Sequence, residues 1–252
     1  MNKTLRTTFG DGGVATVSFD RPQASNALNH ALRDEFIPEL QALNGSPEVR
    51  AIVLTGAGRS FCAGQDLHEA AAMTPGLVPT WQAQQRAMFQ AIRDLDKPCV
   101  AALNGAAMGA GFQVALCADL RVAHAGVRIA QPELKAGIAS IVGSWMMTLH
   151  LGLSKNMELS LTGEAIDAHQ AHALGLVHHV VEAEQVLPTA HRLALSMAAL
   201  PLTAFRLTKQ RFRELTQGGF DEACAAGARL QAQCYAAGEP QRVLSERLGA
   251  PR

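Results

Sequence analysis

The sequence has no excess of charge of either sign. It contains 22 lysine and arginine residues against 22 aspartate and glutamate residues, so its formal net charge is zero. Nucleic acids and anionic membranes are bound through surfaces rich in positive charge, and such surfaces leave basic runs in a sequence. We therefore expect neither a nucleic acid nor a membrane among the partners of this protein.

Paired cysteines and long apolar runs are also missing. The five cysteines form no C-x-x-C pair and no metal-finger spacing. No stretch reaches the roughly 18 apolar residues that a membrane-spanning helix requires. The segment from Met1 to Asp20 lacks the basic-then-apolar order of a signal peptide. We expect reduced thiols, no metal site and a cytoplasmic location.

Apolar residues are plentiful, at 48% of 252 residues, which is enough for one large domain or one domain with an appended helical piece. Short β-rich runs alternate with helical patterns, and this alternation predicts an α/β architecture. The runs expected to form strands are Val14 to Phe19, after a hairpin turn at Asp11 to Gly13, Ala51 to Thr55, Cys99 to Leu103, Leu120 to Ala123 and Leu176 to Val181.

Helical spacing of apolar residues predicts a helix between Leu32 and Leu43, with Asn29 as its cap. Pro38 lies inside this pattern and is expected to kink or break the helix, because proline removes a backbone donor. From about Leu187 onward the pattern is helical only, and a break is expected near Gln217 to Gly219.

Two segments share the order strand, Gly/Ala-rich turn, helix. They run from Ile52 to Leu67 and from Val100 to Gln113. Small residues allow a ligand to approach the backbone, and the first amides of a helix have no partner within the helix. Two such turns can form an oxyanion hole. The alternative is that small residues only allow close packing. Neither segment carries a nucleotide-binding motif, and no G-x-S-x-G elbow occurs.

Seven strings occur in the order and spacing of enzymes of the crotonase (enoyl-CoA hydratase/isomerase) superfamily, which this chain resembles from about residue 10 to residue 200. The strings are Phe19-Asp20-Arg21-Pro22 with Asn26-Ala27-Leu28, Phe61 to Leu67, Asn104 to Gly111, Cys117 to Arg121, Gln131-Pro132-Glu133, Leu161-Thr162-Gly163 and Ala173 to Val177.

The resemblance implies an α/β fold built as a crotonase-like spiral of ββα turns, with a C-terminal helical trimerisation region. It implies a core over residues 1–195 that holds the site and a helical oligomerisation subdomain over residues 196–252. The implied partners are an acyl-CoA thioester substrate and further copies of the chain, as a homotrimer or homohexamer. No metal and no redox cofactor is implied, because coenzyme A enters as part of the substrate.

The resemblance also assigns site residues. The thioester oxygen is expected to accept hydrogen bonds from the backbone amides of Gln65 and Ala110. Glu133 is expected to transfer the proton. The residues expected along the CoA moiety are Ala24, Ala63, Gly64, Gln65, Asp66, Leu67 and Gly109. The side chain of Asp66 is further expected to cap the next helix.

One position departs from the pattern of the family's hydratases, which carry two glutamates. Gln113 stands at the first of these positions and Glu133 at the second. An amide can position a water but cannot take its proton at neutral pH. One carboxylate beside an oxyanion hole suffices to move a proton between two carbons, so the sequence favours a Δ3,Δ2-enoyl-CoA isomerase over a 2-enoyl-CoA hydratase.

Two further alternatives stay open. The chain can catalyse another reaction of the superfamily, such as decarboxylation, dehalogenation or thioester hydrolysis, or it can be a catalytically weak binder of CoA thioesters. The segment from Gly137 to Trp145 also departs from the family pattern, because Ile141 and Trp145 stand where glycine is usual. We expect these side chains to reshape the acyl pocket.

Overall fold

A computed structural model describes residues 3–249 of the chain. Its strands are β1 (Leu5–Gly10), β2 (Val14–Phe19), β3 (Ala51–Gly56), β4 (Ser60–Cys62), β5 (Cys99–Leu103), β6 (Ala106–Met108), β7 (Leu120–His124), β8 (Arg128–Ala130), β9 (Ile166–Asp167) and β10 (His179–Val181). Its helices are α1 (His30–Gly45), α2 (Leu67–Ala71), α3 (Val78–Arg93), α4 (Ala110–Cys117), α5 (Val142–Thr148), α6 (Leu153–Thr162), α7 (Ala168–Ala173), α8 (Val186–Ala198), α9 (Leu202–Ala236) and α10 (Glu239–Gly249).

The strands form a large and a small sheet. The large sheet has the order β1-β2-β3-β5-β7-β10, with an antiparallel β1–β2 hairpin and parallel pairs from β2 to β10. The small sheet has the order β4-β6-β8-β9, in which β4, β6 and β8 are parallel. Each of β3, β5 and β7 is followed by its counterpart in the small sheet. The chain therefore forms the predicted spiral of ββα turns.

The large sheet is covered on both faces, as expected for parallel strands. On one face, Ile52 and Leu54 of β3 belong to the same buried cluster as Leu32 and Phe36 of α1. On the other face, β3, β5 and β7 pack against α8 through a cluster of Val53, Val100, Val122, Val186 and Ala190. This double burial explains why these strands are continuous apolar runs in the sequence.

Asn29 caps α1 as predicted, because its side chain accepts a hydrogen bond from the Leu32 amide at 3.1 Å. The break predicted at Pro38 is wrong, since α1 continues to Gly45, and a kink without a break stays a prediction. Pro38 lies on the exposed side of the helix, where water can satisfy the carbonyl that loses its partner.

The last predicted strand is shorter than expected. Only His179–Val181 pairs with β7. The amides of Leu176 and Val177 instead donate to the carbonyl of Ala171 in α7, at 2.8 Å and 3.2 Å. These two buried residues therefore end a helix and do not begin a strand.

The C-terminal region is helical, as predicted, but the expected break near Gln217 is wrong because α9 runs unbroken from Leu202 to Ala236. Gly219 lies directly against the indole ring of Trp145, so glycine allows close helix packing here and does not end the helix. The predicted boundary at residues 195 and 196 falls within α8.

Across residues 3–249, no helix combines the length and apolar character needed to cross a bilayer.

The small sheet brings two backbone turns into contact. Gly64 follows β4 and has a φ of 91°, a conformation that strongly favours glycine. A Cβ atom at this position would lie 2.6 Å from the carbonyl oxygen of Met108 and 3.4 Å from the amide nitrogen of Ala110. Gly64 therefore sets how closely the turn after β4 approaches the turn after β6.

Gly64→Ala is expected to destabilise the protein more than Gly175→Ala. Both glycines have positive φ angles, 91° and 75°, so alanine costs about 1 to 2 kcal/mol of backbone strain at either position. The Cβ would meet no atom within 4 Å at Gly175 but would meet the Met108 carbonyl at Gly64. This overpacking adds about 1 to 3 kcal/mol. Urea unfolding at a single protein concentration measures the difference, and equal losses would contradict the contact between the turns.

Candidate active site

Three parallel strands of the small sheet end at the same edge, and the predicted site residues follow them. Gln65 comes after β4, Ala110 after β6 and Glu133 after β8. Because β6 is paired with both β4 and β8, the three segments lie side by side. A polar site therefore forms where the strands end, as is usual for parallel sheets.

The two predicted oxyanion amides belong to the turns that meet at Gly64. Ala110 is the first residue of α4, so its amide has no carbonyl partner within the helix. Gln65 forms an isolated bridge with Leu28, which uses the Gly64 carbonyl and the Asp66 amide and leaves the Gln65 amide outside the bridge. Both turns thus present backbone donors, although their roles toward a substrate stay a prediction.

The segments predicted to bind CoA lie next to each other. The Ala63 amide donates to the Ser25 carbonyl at 3.0 Å, which places Ala24 beside the turn from Ala63 to Leu67. Asp66 caps α2 as predicted by accepting from the His68 amide at 3.1 Å, and it also forms an ion pair with Arg21 at 3.0 Å. Contact of these segments with CoA stays a prediction.

The side chain of Gln65 anchors its own backbone. It donates to Gln85 of α3 at 2.7 Å and accepts from Arg33 of α1 at 3.2 Å. Arg33 is almost fully buried and pairs with Glu69 of α2 at 2.8 Å. Three helices therefore hold the turn in place. Arg33 and Gln85 belong to no recognisable motif, so they could not be identified from the sequence.

Glu133 follows Pro132 and begins a short 3-10 helix, residues 133–136. A Cβ atom at Gly109 would lie 3.3 Å from its Oε1 atom, so the carboxyl group lies against the residue that precedes Ala110. The residue is partly exposed, but its carboxyl is largely enclosed by protein. Burial disfavours the charged form and raises the pKa of Glu133 to about 7, against opposing hydrogen bonds from its own backbone amide and from the side chains of Ser140 and Gln113.

Gln113 of α4 reaches the carboxyl group directly. Its Nε2 atom donates to Glu133 Oε1 at 2.8 Å and to Gln131 Oε1 at 3.0 Å. The structure therefore brings the two predicted catalytic residues together. It also adds Gln131, which belongs to the Gln131-Pro132-Glu133 string but had no predicted role.

A groove of about 400 Å³ opens beyond the Glu133 loop, and Leu134, Ser140, Ile141 and Trp145 are part of its lining. Trp145 packs against Phe220 of α9 with ring centroids 5.9 Å apart. The two bulky residues noted in the sequence thus line a space next to the site.

Within residues 3–249, no group of three or more His, Cys, Asp and Glu side chains is placed to hold a metal ion. That the reaction needs neither a metal nor a redox cofactor stays a prediction.

Comparisons with known proteins agree with this architecture. A family model described as enoyl-CoA hydratase/isomerase matches residues 10–245. A probable enoyl-CoA hydratase from Rhodobacter capsulatus is 35% identical over 231 residues, which cover 91% of this chain and 89% of the relative.

Solved structures give the same result. An enoyl-CoA hydratase/isomerase from Mycobacterium paratuberculosis matches with a TM-score of 0.86 and 26% identity over 98% of this chain and 99% of that chain. A monofunctional enoyl CoA isomerase from M. smegmatis matches with a TM-score of 0.73 and 27% identity over 89% of this chain and 99% of that chain. The chain belongs to the enoyl-CoA hydratase/isomerase family.

Proposed function

We propose that the protein is an acyl-CoA enzyme that carries out Δ3,Δ2-enoyl-CoA isomerase-type proton transfer with Glu133 as the proton carrier. The observation that supports this most directly is the chemistry around the carboxyl group, where Gln113 and Gln131 are neutral amides. A single carboxylate can take a proton from one carbon and return it to another, and a pKa near 7 suits both steps.

The proposed reaction uses Glu133 and two backbone amides. The carboxylate of Glu133 removes a proton from the α-carbon of a 3-enoyl thioester, and the electron pair of the broken C–H bond moves into an enolate. The amides of Gln65 and Ala110 stabilise the negative charge on the thioester oxygen. Loss of one such donor costs about 10²- to 10³-fold in rate. Glu133 then returns the proton to the γ-carbon, which leaves the 2-enoyl thioester.

The second candidate is a 2-enoyl-CoA hydratase, which the name of the Rhodobacter capsulatus relative favours. Hydration requires a group that accepts a proton from water while the other acid manages the α-carbon. Gln113 cannot do this, since its amide is not a base. The name of the M. smegmatis structure supports the isomerase. Another reaction of the superfamily and a catalytically weak thioester binder are the remaining alternatives, and any turnover excludes the weak binder.

We further propose that the protein assembles as a homotrimer or homohexamer. Leu153, Met157 and Leu161 form an apolar face along α6, with exposures of 66%, 50% and 61%. Phe212 and Leu215 of α9 are similarly exposed, at 65% and 61%. Apolar faces of this extent are usually buried between subunits.

Glu133→Gln is expected to lower kcat at least about 10²-fold with little change in KM, because the amide keeps the shape of the carboxyl group but cannot take a proton. In the wild type, kcat/KM should rise as the pH increases through about 7, where the carboxyl ionises. Rate profiles on a 3-enoyl-CoA substrate measure both effects.

The matched control is Glu164→Gln, which changes an exposed glutamate paired with Lys135. It should leave the rate unchanged.

The fold favours the protonated form of Glu133, so this residue's contribution to stability is present below its ordinary pKa of about 4.3 and is lost as the pH rises through about 7. Glu133→Gln should remove this pH dependence. Full turnover in Glu133→Gln would exclude Glu133 as the proton carrier.

Gln113→Glu is expected to raise the ratio of hydration to isomerisation, because it adds a second acid within hydrogen-bonding distance of Glu133. The two carboxyl groups will repel each other, so one is expected to stay protonated near neutral pH. The ratio is measured with crotonyl-CoA and a 3-enoyl-CoA. Gln113→Met is the control and should not gain hydration. A wild-type enzyme that hydrates crotonyl-CoA near the diffusional limit of roughly 10⁸ M⁻¹s⁻¹ would contradict the role assigned to Gln113.

A further inference from the structure

A second glutamine lies against the carboxyl group of Glu133. Gln131 immediately follows β8 and is almost fully buried, with 1% of its surface exposed. Its side-chain amide contacts both the side-chain amide of Gln113 and the carboxyl group of Glu133. The proposed proton transfer does not by itself require this residue. The Gln131 amide nevertheless lies within hydrogen-bonding distance of the atom that carries the proton in the acid form of Glu133.

With its oxygen toward Glu133, the Gln131 amide fits only a protonated acid. The Gln131 oxygen accepts from Gln113 Nε2 at 3.0 Å, and the same atom lies 2.7 Å from Glu133 Oε1. Two oxygens this close repel each other unless a proton lies between them. In this orientation, therefore, the Glu133 hydroxyl donates to Gln131.

With its nitrogen toward Glu133, the same amide fits the ionised carboxylate. Rotation by half a turn lets Gln131 Nε2 donate to Glu133 Oε1 at 2.7 Å and to Oε2 at 3.2 Å. Gln113 still donates to Oε1 at 2.8 Å. The two amide nitrogens then lie 3.0 Å apart, and because both are donors the hydrogen bond between Gln113 and Gln131 is lost in this orientation.

The backbone of α5 packs closely against the side-chain amides of Gln113 and Gln131. A Cβ atom at Gly143 would collide with Gln113 Nε2 and would lie 2.5 Å from the Gln131 oxygen, so the backbone of α5 closes the site from behind. An amide oxygen and an NH₂ group are almost equal in size, so the two end orientations of the amide fill nearly the same space. The amide can therefore change its hydrogen-bonding role while the packing stays constant.

We propose that Gln131 is a positioning residue whose side-chain amide turns with the proton on Glu133, presenting its oxygen to the acid and its nitrogen to the carboxylate. The inference rests on the proposed role of Glu133 as the proton carrier. Through this rotation, Gln131 sets the pH at which the resting acid becomes a base.

Removal of this amide should affect the carboxylate more than the acid. A hydrogen bond to a charged oxygen is roughly twice as strong as one between neutral groups. Gln131→Met keeps the size of the side chain and removes both kinds of bond, so the midpoint of Glu133 titration should rise by about one pH unit. The acid limb of kcat/KM should move with it, and the rate lost near neutral pH should return at higher pH.

The titration can be measured without a substrate. Infrared difference spectra across the neutral pH range, with Glu133→Gln as the blank, follow the carbonyl band of the protonated Glu133 carboxyl. The matched control is Gln231→Met, since Gln231 is also a buried glutamine but bonds to Gln82 and to the Ala139 carbonyl. A higher midpoint in Gln131→Met alone supports the inference. An unchanged midpoint, or an equal shift in both variants, overturns it.

A second measurement needs no change at Gln131. In wild-type protein labelled with ¹⁵N-glutamine, the side-chain amides of both Gln113 and Gln131 should shift with the same midpoint as Glu133, and both shifts should vanish in Glu133→Gln. A shift in only one amide, or in none, overturns the inference. Both spectroscopic results are independent of turnover, so a missing isomerase activity would refute the proposed function alone.

Discussion

Burial of one carboxyl group among neutral amides is the constraint on which the rest of the site depends. The carboxyl of Glu133 lies against Gly109 and accepts a hydrogen bond from Gln113 at 2.8 Å, and neither of these neighbours carries a charge. Desolvation therefore dominates and raises the pKa of Glu133 to about 7. A carboxyl group in this state exchanges a proton near neutral pH at little cost in either direction.

The small sheet places the Glu133 carboxyl group beside the two turns that follow β4 and β6. Its strands β4, β6 and β8 have three residues each, yet their parallel pairing places Gln65, Ala110 and Glu133 at a common edge. The large sheet and its covering helices provide the rigid support for this arrangement. The Gln65 turn is further held through Arg33 of α1 and Gln85 of α3. In the proposed reaction, a backbone donor held in this way needs no rearrangement when negative charge develops.

Different parts of this structure could be predicted from the sequence to different degrees. The strands of the large sheet were found because burial on both faces leaves continuous apolar runs such as Ala51 to Thr55. The small sheet was missed, since strands of three residues are too short to show a periodic pattern. The break expected at Gly219 was wrong because its cause is tertiary, namely the contact with Trp145 in another helix. Gln131 belongs to a recognisable string, but its proposed role depends on its distances to Gln113 and Glu133, which only the structure shows.

The central claim is that one residue both removes and returns the proton. A 3-enoyl-CoA labelled with deuterium at the α-carbon, converted in ordinary water, tests this claim most directly. If Glu133 carries the proton, part of the label should appear at the γ-carbon of the 2-enoyl product in the first turnovers, because the bound substrate shields the carboxyl from solvent between removal and return of the proton. Complete loss of the label to water from the first turnover, with only solvent hydrogen at the γ-carbon, would contradict the account.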